Sequence, residues 1–429
     1  MSISKSNLKV IIVGGGPVGL TAAHALTKAG ISFTLLEQRP SAVIDAGSNL
    51  VLQPEGLLTL SSLGILPQIM AASTALGKIE RIDHKGRSIG NVDWFLNMAK
   101  KYVNAKYRHD DTNKASTGHA PRTLSRHDLT SVLYNTLPVD KQANIIPDKK
   151  LATITSTPTG VVVTCTDGST YEGSLIIGAD GSHSKSRAQM HSLALSSAST
   201  SVNEETPFLT TYNCLWIRMP ISATQGIIPG ISSETHGKGL ATQFFAGDDT
   251  AVLGIYEPLP EPTKKRQYFT SADEQALVER WGHVKLLHGN DLTIAEMYAK
   301  RAQAGLVTLE EGVLEHWSWG SKIVLVGDAA HKYTPSTGSG CNNGMVDACL
   351  LAKELSAALE ENEPIEAARI EAAFARYQNL RKDVSIATCT GSGRATAMAT
   401  WSGSILSFID VHIIPRRIVQ NFIGKRITV

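Results

Sequence analysis

The chain has 429 residues, 42% of them hydrophobic, which is enough for two or three packed layers around a substantial core and too apolar for general disorder. Its 41 Lys and Arg against 39 Asp and Glu give a net charge of +2. That balance lacks the field that would mark nucleic acid as the main partner, so small molecules are the expected ligands.

Five scattered cysteines (Cys165, Cys214, Cys341, Cys349, Cys389) form no CxxC pair and no zinc-spaced Cys/His cluster, which points to a reducing, cytoplasmic setting without a structural metal. The N-terminus runs from MSISKSNLKV straight into Val10–Val13, without the hydrophobic region and cleavage site of a secretory signal, so export is not expected.

Leu8 to Val13 is a short apolar run ending at glycines, the pattern of a strand buried on both faces of a parallel sheet. A helix should follow, with Pro17 in its first turn, Leu20, Ala23, Ala25 and Leu26 on its apolar face, and Gly30 at its end. Ile31 to Glu37 then completes a βαβ unit. Ser125 and Asp128 form a capping arrangement before a helix carrying Leu129, Val132, Leu133 and Leu137. Val161–Cys165, the Asp167-Gly168 turn and Thr170–Glu172 read as a hairpin, and Leu175–Ile177 as another buried strand.

From Pro207 to Pro258 the alternation predicts antiparallel strands of a different layer. Lys322–Val326 returns to the buried-strand pattern, and after a glycine-rich loop the spacing predicts a helix over Gly344–Glu360. Helices dominate the remainder, with Ile370, Ala373, Phe374 and Tyr377 on one face. The apolar stretch Met398–Ile414 contains Asp410 and His412 and is too short to span a bilayer. Beyond it, Arg416, Arg417, Lys425 and Arg426 form a threshold basic cluster, read as a solvated helical face or as a weak peripheral contact with an anionic membrane.

Gly14, Gly16 and Gly19 form GxGxxG between strand and helix, where absent side chains let backbone N–H groups and the helix N-terminus approach a pyrophosphate. Glu37, ending the second strand, is placed to accept hydrogen bonds from both adenosine ribose hydroxyls. This pattern establishes a dinucleotide without deciding between FAD and NAD. Asp328, after a buried strand, sits at the sheet's carboxyl edge, where it can accept a ribityl hydroxyl. The loop Gly338-Ser339-Gly340-Cys341-Asn342 opens a helix whose positive end suits the electron-rich edge of a reduced flavin.

Gly178-Ala179-Asp180-Gly181, continuing to Arg187, and Gly327-Asp328-Ala329-Ala330-His331, continuing to Asn342, together with GxGxxG resemble the three fingerprints of p-hydroxybenzoate hydroxylase-like FAD-dependent monooxygenases. Gly47 ahead of Pro54-Glu55-Gly56, Tyr212-Asn213-Cys214 and Lys332-Tyr333-Thr334-Pro335 are similar to the fungal natural-product subgroup of that family. The resemblance implies FAD, NADPH or NADH as co-substrate, and O2. It also implies FAD contacts from Arg126 and the Gly47 backbone, a flavin- and nicotinamide-serving segment at Asp180 with Arg187 open to phosphate, and active-site duty for Tyr212. The chain departs from the family at Ser339, usually Gln, and at Cys341, usually a small residue, so the flavin-edge contacts of Gly340 and Cys341 carry less weight.

The expected fold class is α/β. A Rossmann-like FAD-binding domain (1-75, 100-190 and 300-365) carries an inserted, mainly antiparallel β-sheet substrate domain (76-99 and 191-299), with C-terminal helices over 366-429. The expected reaction is hydroxylation or epoxidation of an apolar small molecule, with Trp216, Phe244 and Phe245 as candidate pocket linings. The alternatives are a flavin-dependent halogenase and a non-catalytic flavin-binding protein. Trp317-Ser318-Trp319-Gly320 lacks the Ile-Pro of the halogenase motif WxWxIP.

Overall fold

The computed structural model describes residues 8–45, 47–77, 79–92, 120–197, 199, 201–359, 366–416 and 418–420. The basic tail residues Arg417, Lys425 and Arg426, residues 93–119 of the expected domain segments and Glu360 lie outside the described residues.

The chain opens with β1 (Lys9–Val13), α1 (Pro17–Lys28) and β2 (Ser32–Leu36), then β3 (Asn49–Leu52), α2 (Pro54–Ser62), α3 (Leu66–Ala71), β4 (Thr74–Ala75) and β5 (Ile79–Asp83). Next come β6 (Arg122–Ser125), α4 (Arg126–Asn135), α5 (Val139–Gln142), β7 (Ile145–Ile146), β8 (Leu151–Thr157), β9 (Gly160–Cys165), β10 (Thr170–Gly173) and β11 (Leu175–Gly178). After α6 (Lys185–Ser196) follow β12 (Leu209–Pro220), β13 (Ser232–His236), β14 (Ala241–Ala246), β15 (Thr250–Thr263), α7 (Ser271–Trp281), α8 (Ile294–Ala299) and β16 (Gln303–Val313). The last elements used here are β17 (Ser318–Trp319), β18 (Ile323–Leu325), β19 (His331–Lys332), α9 (Ser339–Leu359), α10 (Ala367–Ala399) and α11 (Ser404–Phe408).

The first sheet, ordered β17-β18-β11-β1-β2-β7, is parallel except where β17 meets β18. Val10, Ile11, Ile12, Ile176 and Val324 are buried completely, as an all-apolar central strand requires when helices cover both faces. The second sheet, ordered β19-β16-β12-β15-β14-β13-β5, is antiparallel apart from the β13–β5 pairing. One face of it is apolar. Leu215, Ile217, Phe244, Leu253 and Ile255 pack there with Leu277, Val278, Ile294 and Met297 of α7 and α8. The other face meets the nucleotide-binding half of the chain: Arg218 pairs with Asp45 of the β2–β3 connection at 2.6 Å, and Gln243 donates to the Ser336 carbonyl ahead of α9 at 2.8 Å.

Two expectations change. Helix α9 begins at Ser339 rather than Gly344. Its opening Gly and Asn residues read as loop, but the Asn342 and Asn343 amides donate to the carbonyls of Gly338 and Ser339 and hold the first turn. A division at residue 300 also separates β16 from β12, with which it pairs from Arg218↔Gln303 to Leu209↔Glu311. Glu310 and Glu311 blunt the alternation of this half-exposed strand, so it went unread in the sequence. We propose the boundary after Val313 instead.

Candidate active site

Gly14 has φ +106°, and a Cβ there would lie 2.5 Å from the Ala179 carbonyl oxygen. The first glycine turn is thus pressed against the end of β11, and only glycine fits. Gly16 is the N-cap of α1. Glu37 accepts from the Gly15 amide at 2.6 Å and from the Arg39 amide at 2.9 Å, which fixes its carboxylate at the turn and leaves lone pairs for further donors. Arg126 comes from the start of α4, whose Ser125 cap accepts from the Asp128 amide. Its guanidinium passes both Gly47 and Gly16, 3.2 Å from where a Gly16 Cβ would stand. Among the described residues no carboxylate pairs with that guanidinium, which lies beside the N-terminus of α1, where an anion is favoured.

Asp180 accepts from Ser184 Oγ at 2.5 Å and from the Ser186 amide at 2.8 Å, so it shapes the turn into α6. Arg187 is more committed than the sequence suggested. It donates to the carbonyls of Ala329 (3.1 Å) and Ser182 (3.0 Å) and lies over the Phe208 ring, clamping the second glycine segment to the third. Lys332 covers the same ring and forms an ion pair with Glu310. Burial, with the positive charges of Arg266, Lys332 and Arg187, pushes His183 down to about 4, so His183 stays neutral.

Asp328 accepts from Ser182 Oγ at 3.2 Å, and its Oδ1 lies 3.7 Å from where a Gly340 Cβ would be. The third motif's carboxylate therefore faces the first turn of α9. Cys341 stands in that turn, and burial pushes its thiol up to about 12; the nearby Asp328 adds to this and Arg126 opposes it. The thiol stays protonated and behaves as a small apolar group. Ser339 turns its hydroxyl to Thr337 Oγ1 at 2.9 Å, which is linked in turn to Ser392 of α10 at 2.6 Å. His331 is structural. Its Nε2 lies 2.6 Å from Asp347, which also takes the Gly327 amide and the Arg381 guanidinium, all buried. Trp317 likewise packs in the core, its indole N–H donating to Leu314 O at 3.0 Å.

The inner face of the second sheet meets the segment ahead of α9, where Gln243 Nε2 donates to the Ser336 carbonyl at 2.8 Å, and the end of α10. Tyr212 is 7% exposed, clusters with Cys214, Ala241 and Tyr256, and has its hydroxyl 3.4 Å from Thr400 Oγ1. Trp216 is half-buried on the same face, between Gly254 and Gly305 in the register. Phe245 packs on this side with Val51, whereas Phe244 lies in the core beneath α7 and α8 and lines no pocket. A separate hollow of about 760 Å³ lies against α1 and α3, away from these motifs. Two of its polar side chains are bonded within the fold, His24 to Leu133 O and Lys28 to Ser62 O.

Sequence reasoning missed a buried ionic network on this inner face. Arg81 pairs with Asp410, Asp410 lies 2.8 Å from His236 Nδ1, and His236 Nε2 is 3.3 Å from Glu234. Its members come from β5, β13 and the segment after α11, so only the i, i+2 spacing of Glu234 and His236 is visible locally. Burial disfavours the His236 imidazolium, but its hydrogen bonds to Asp410 and Glu234 outweigh that and raise its pKa above 6.5. Burial likewise disfavours both carboxylates, and the contacts with His236 and Arg81 nonetheless hold them below their usual range.

The raised group stabilises the fold fully below pH 6.5, and its contribution is lost as pH climbs through the folded value. The carboxylates contribute above their unfolded values of 3.8 and 4.5, and that share is lost as pH falls through their lowered folded values. Thermal melts should therefore decline above pH 6.5 in the native protein. In His236→Asn the melting temperature should be lower at pH 6 and the alkaline decline flatter; equal slopes in the two proteins would contradict the assignment.

The first glycine turn, an acid at the second strand's end, an arginine beside the α1 N-terminus and Asp328 facing the first turn of α9 define a dinucleotide-binding α/β protein. The donors fit FAD. Residues 7–384 match the family model described as FAD binding domain. The FAD-dependent monooxygenase DEP2 of Alternaria brassicicola is 31% identical over 94% of this chain and 74% of its own length. The FAD-dependent monooxygenase srdH of Neurospora crassa is 31% identical over 96% of this chain and 91% of its own. Klebsiella pneumoniae HpxO, complexed with FAD and uric acid, superposes with a TM-score of 0.73 at 20% identity, covering 99% of this chain and 97% of that one. A salicylate hydroxylase substrate complex gives 0.70 at 17% identity, covering 99% and 95%. The chain belongs to the FAD binding domain family and is an FAD-dependent monooxygenase.

Proposed function

We propose that the protein takes reducing equivalents from NADPH or NADH and inserts one atom of O2 into an apolar multi-ring or prenylated small molecule, by hydroxylation or epoxidation, in secondary-metabolite biosynthesis. The observation that carries this reading is the meeting of the α9 opening with the second sheet: Asp328 faces the first turn of α9, and the Ser336 carbonyl just ahead of that turn accepts at 2.8 Å from Gln243, which lies in the sheet row of Gly254 and Trp216. When bound, FAD supplies the oxygen activation and electron transfer.

The chain's own residues bind and orient. The α1 N-terminus and Arg126 would hold the pyrophosphate, Glu37 the adenosine ribose, with Gly47 beside the cradle, and Asp328 the ribityl chain. The first-turn amides of α9, at Gly340 and Cys341, would face the flavin's electron-rich edge. The cations Arg187 and Arg266, whose charges both reach His183, support the approach of an anionic nicotinamide nucleotide. Tyr212 is proposed to orient a substrate heteroatom or hold its proton, exchanging its long contact with Thr400 for one to substrate.

Two variants test this reading. Asp328→Ala should weaken FAD binding roughly 10–100-fold, the worth of a charged hydrogen bond, measured by flavin fluorescence titration. Tyr212→Phe should keep its FAD and lose turnover roughly 100-fold, measured as NAD(P)H consumption with mass spectrometry for a gain of one oxygen. Unchanged FAD affinity in Asp328→Ala would overturn the placement of the flavin. Peroxide release without product from every prenylated indole, meroterpenoid and phenol offered would overturn the substrate class.

A further inference from the structure

One transverse row of the second sheet runs Arg81, Glu234, Gln243, Gly254, Trp216 and Gly305, each paired with the next across β5, β13, β14, β15, β12 and β16. A charged cluster therefore shares a face with the aromatic floor of the site. The Gln243 amide has both donors in use: Nε2 donates to Glu234 Oε1 and to the Ser336 carbonyl, both at 2.8 Å, and Oε1 accepts from the Tyr256 hydroxyl at 2.9 Å. Ser336 lies in the loop that opens α9, so this amide joins the sheet directly to the flavin-facing turn.

Exposure rises along the ionic network, from 2% for the Arg81 and Asp410 side chains through 7% for His236 to 17% for Glu234. The cluster is thus closed at its back and open at Glu234. A carboxylate offers about four acceptor positions, and here Gln243 and His236 take two of them. Charge decides what the open positions want. Two cations, Arg81 and the imidazolium of His236, already balance Glu234 and Asp410, so a further cation would leave the cluster with surplus charge in a buried place. A neutral donor completes the carboxylate's hydrogen bonding without that cost.

Resting on the monooxygenase reading above, we propose that Glu234 is the polar anchor of the substrate cavity. The compound oxygenated seats an uncharged N–H or O–H donor on this carboxylate while its rings cover the half-buried Trp216. His236, Asp410 and Arg81 are positioning residues that keep Glu234 oriented and charge-balanced.

The FAD-loaded full chain is titrated with carbazole against N-methylcarbazole and with 2-naphthol against 2-methoxynaphthalene, following perturbation of the flavin absorbance. The donor-bearing member of each pair should bind about tenfold or more tightly. Glu234→Gln, which keeps the shape but not the charge, should bring the members within about threefold of each other. Glu234→Asp, which keeps the charge but withdraws it, should restore part of the preference. FAD content checks that each variant folds. Equal affinities within both pairs in the native protein, no binding of any of the four, or an undiminished preference in Glu234→Gln would each overturn the anchor. The monooxygenase reading is judged separately, by the one-oxygen gain of any compound consumed with NAD(P)H.

Discussion

Asp347→Ala is expected to destabilise the protein by about 3–5 kcal/mol, the usual cost of stranding one partner of a buried ion pair. Asp347 is completely buried and takes three donors: Arg381 Nε at 2.6 Å, His331 Nε2 at 2.6 Å and the Gly327 amide at 3.1 Å. Removing it leaves the Arg381 guanidinium, 7% exposed, with Asn343 Oδ1 as its remaining hydrogen-bond acceptor. The Gly327 amide sits immediately before Asp328, so the loss should reach the flavin cradle as well as the fold. Urea denaturation monitored by tryptophan fluorescence measures the first effect, and FAD retained on gel filtration the second. Replacing Asp347 and Arg381 together with leucine and methionine should cost less than Asp347→Ala alone, because no unpaired charge then remains. A double variant worse than the single one would show that packing, not charge, holds this site.

Gly19→Ala should empty the flavin site, where Gly30→Ala should not. Both glycines belong to the first βαβ unit, yet a Cβ at Gly19 would lie 1.9 Å from the Gly14 carbonyl oxygen, while one at Gly30 would meet nothing within 4 Å. The first change drives α1 away from β1 and deforms the turn that receives the pyrophosphate. We expect a loss at or above the upper end of about 1–3 kcal/mol, with FAD content falling by roughly tenfold or more. At Gly30 the only penalty is the left-handed backbone, φ +69°, worth about 1–2 kcal/mol, with FAD content preserved. Flavin absorbance per chain and thermal melts of the two variants separate these outcomes; equal FAD content in both would remove the first glycine turn from the binding site.

The site residues that could be read locally were those whose chemistry depends on a turn or a strand end. Gly14, Gly16, Gly19 and Glu37 belong to one βαβ unit, so spacing alone brought them together. Ser125 and Asp128 announced their helix in the same way, and the structure shows the cap bond. Residues whose role depends on a distant partner were harder to judge. Arg187 offered phosphate binding in sequence and is found clamping backbone carbonyls 141 and 142 positions away. His331 sat inside a flavin motif and serves Asp347, while Phe244 and Phe245 were paired as pocket linings although neighbouring strand residues point to opposite faces.

By itself the sequence determined the α/β class, the dinucleotide turn, the order of the three glycine motifs and the antiparallel character of the inserted sheet. Each motif or strand pattern among them is written in local spacing, over fewer than about 30 residues at a time. Only the tertiary structure decided that β16 belongs to the second sheet, that α9 starts at Ser339, and that Arg81, Glu234, His236 and Asp410 form one network. The physical reason is burial: charges scattered over more than 300 positions look like ordinary surface residues until folding removes their water and leaves them only one another.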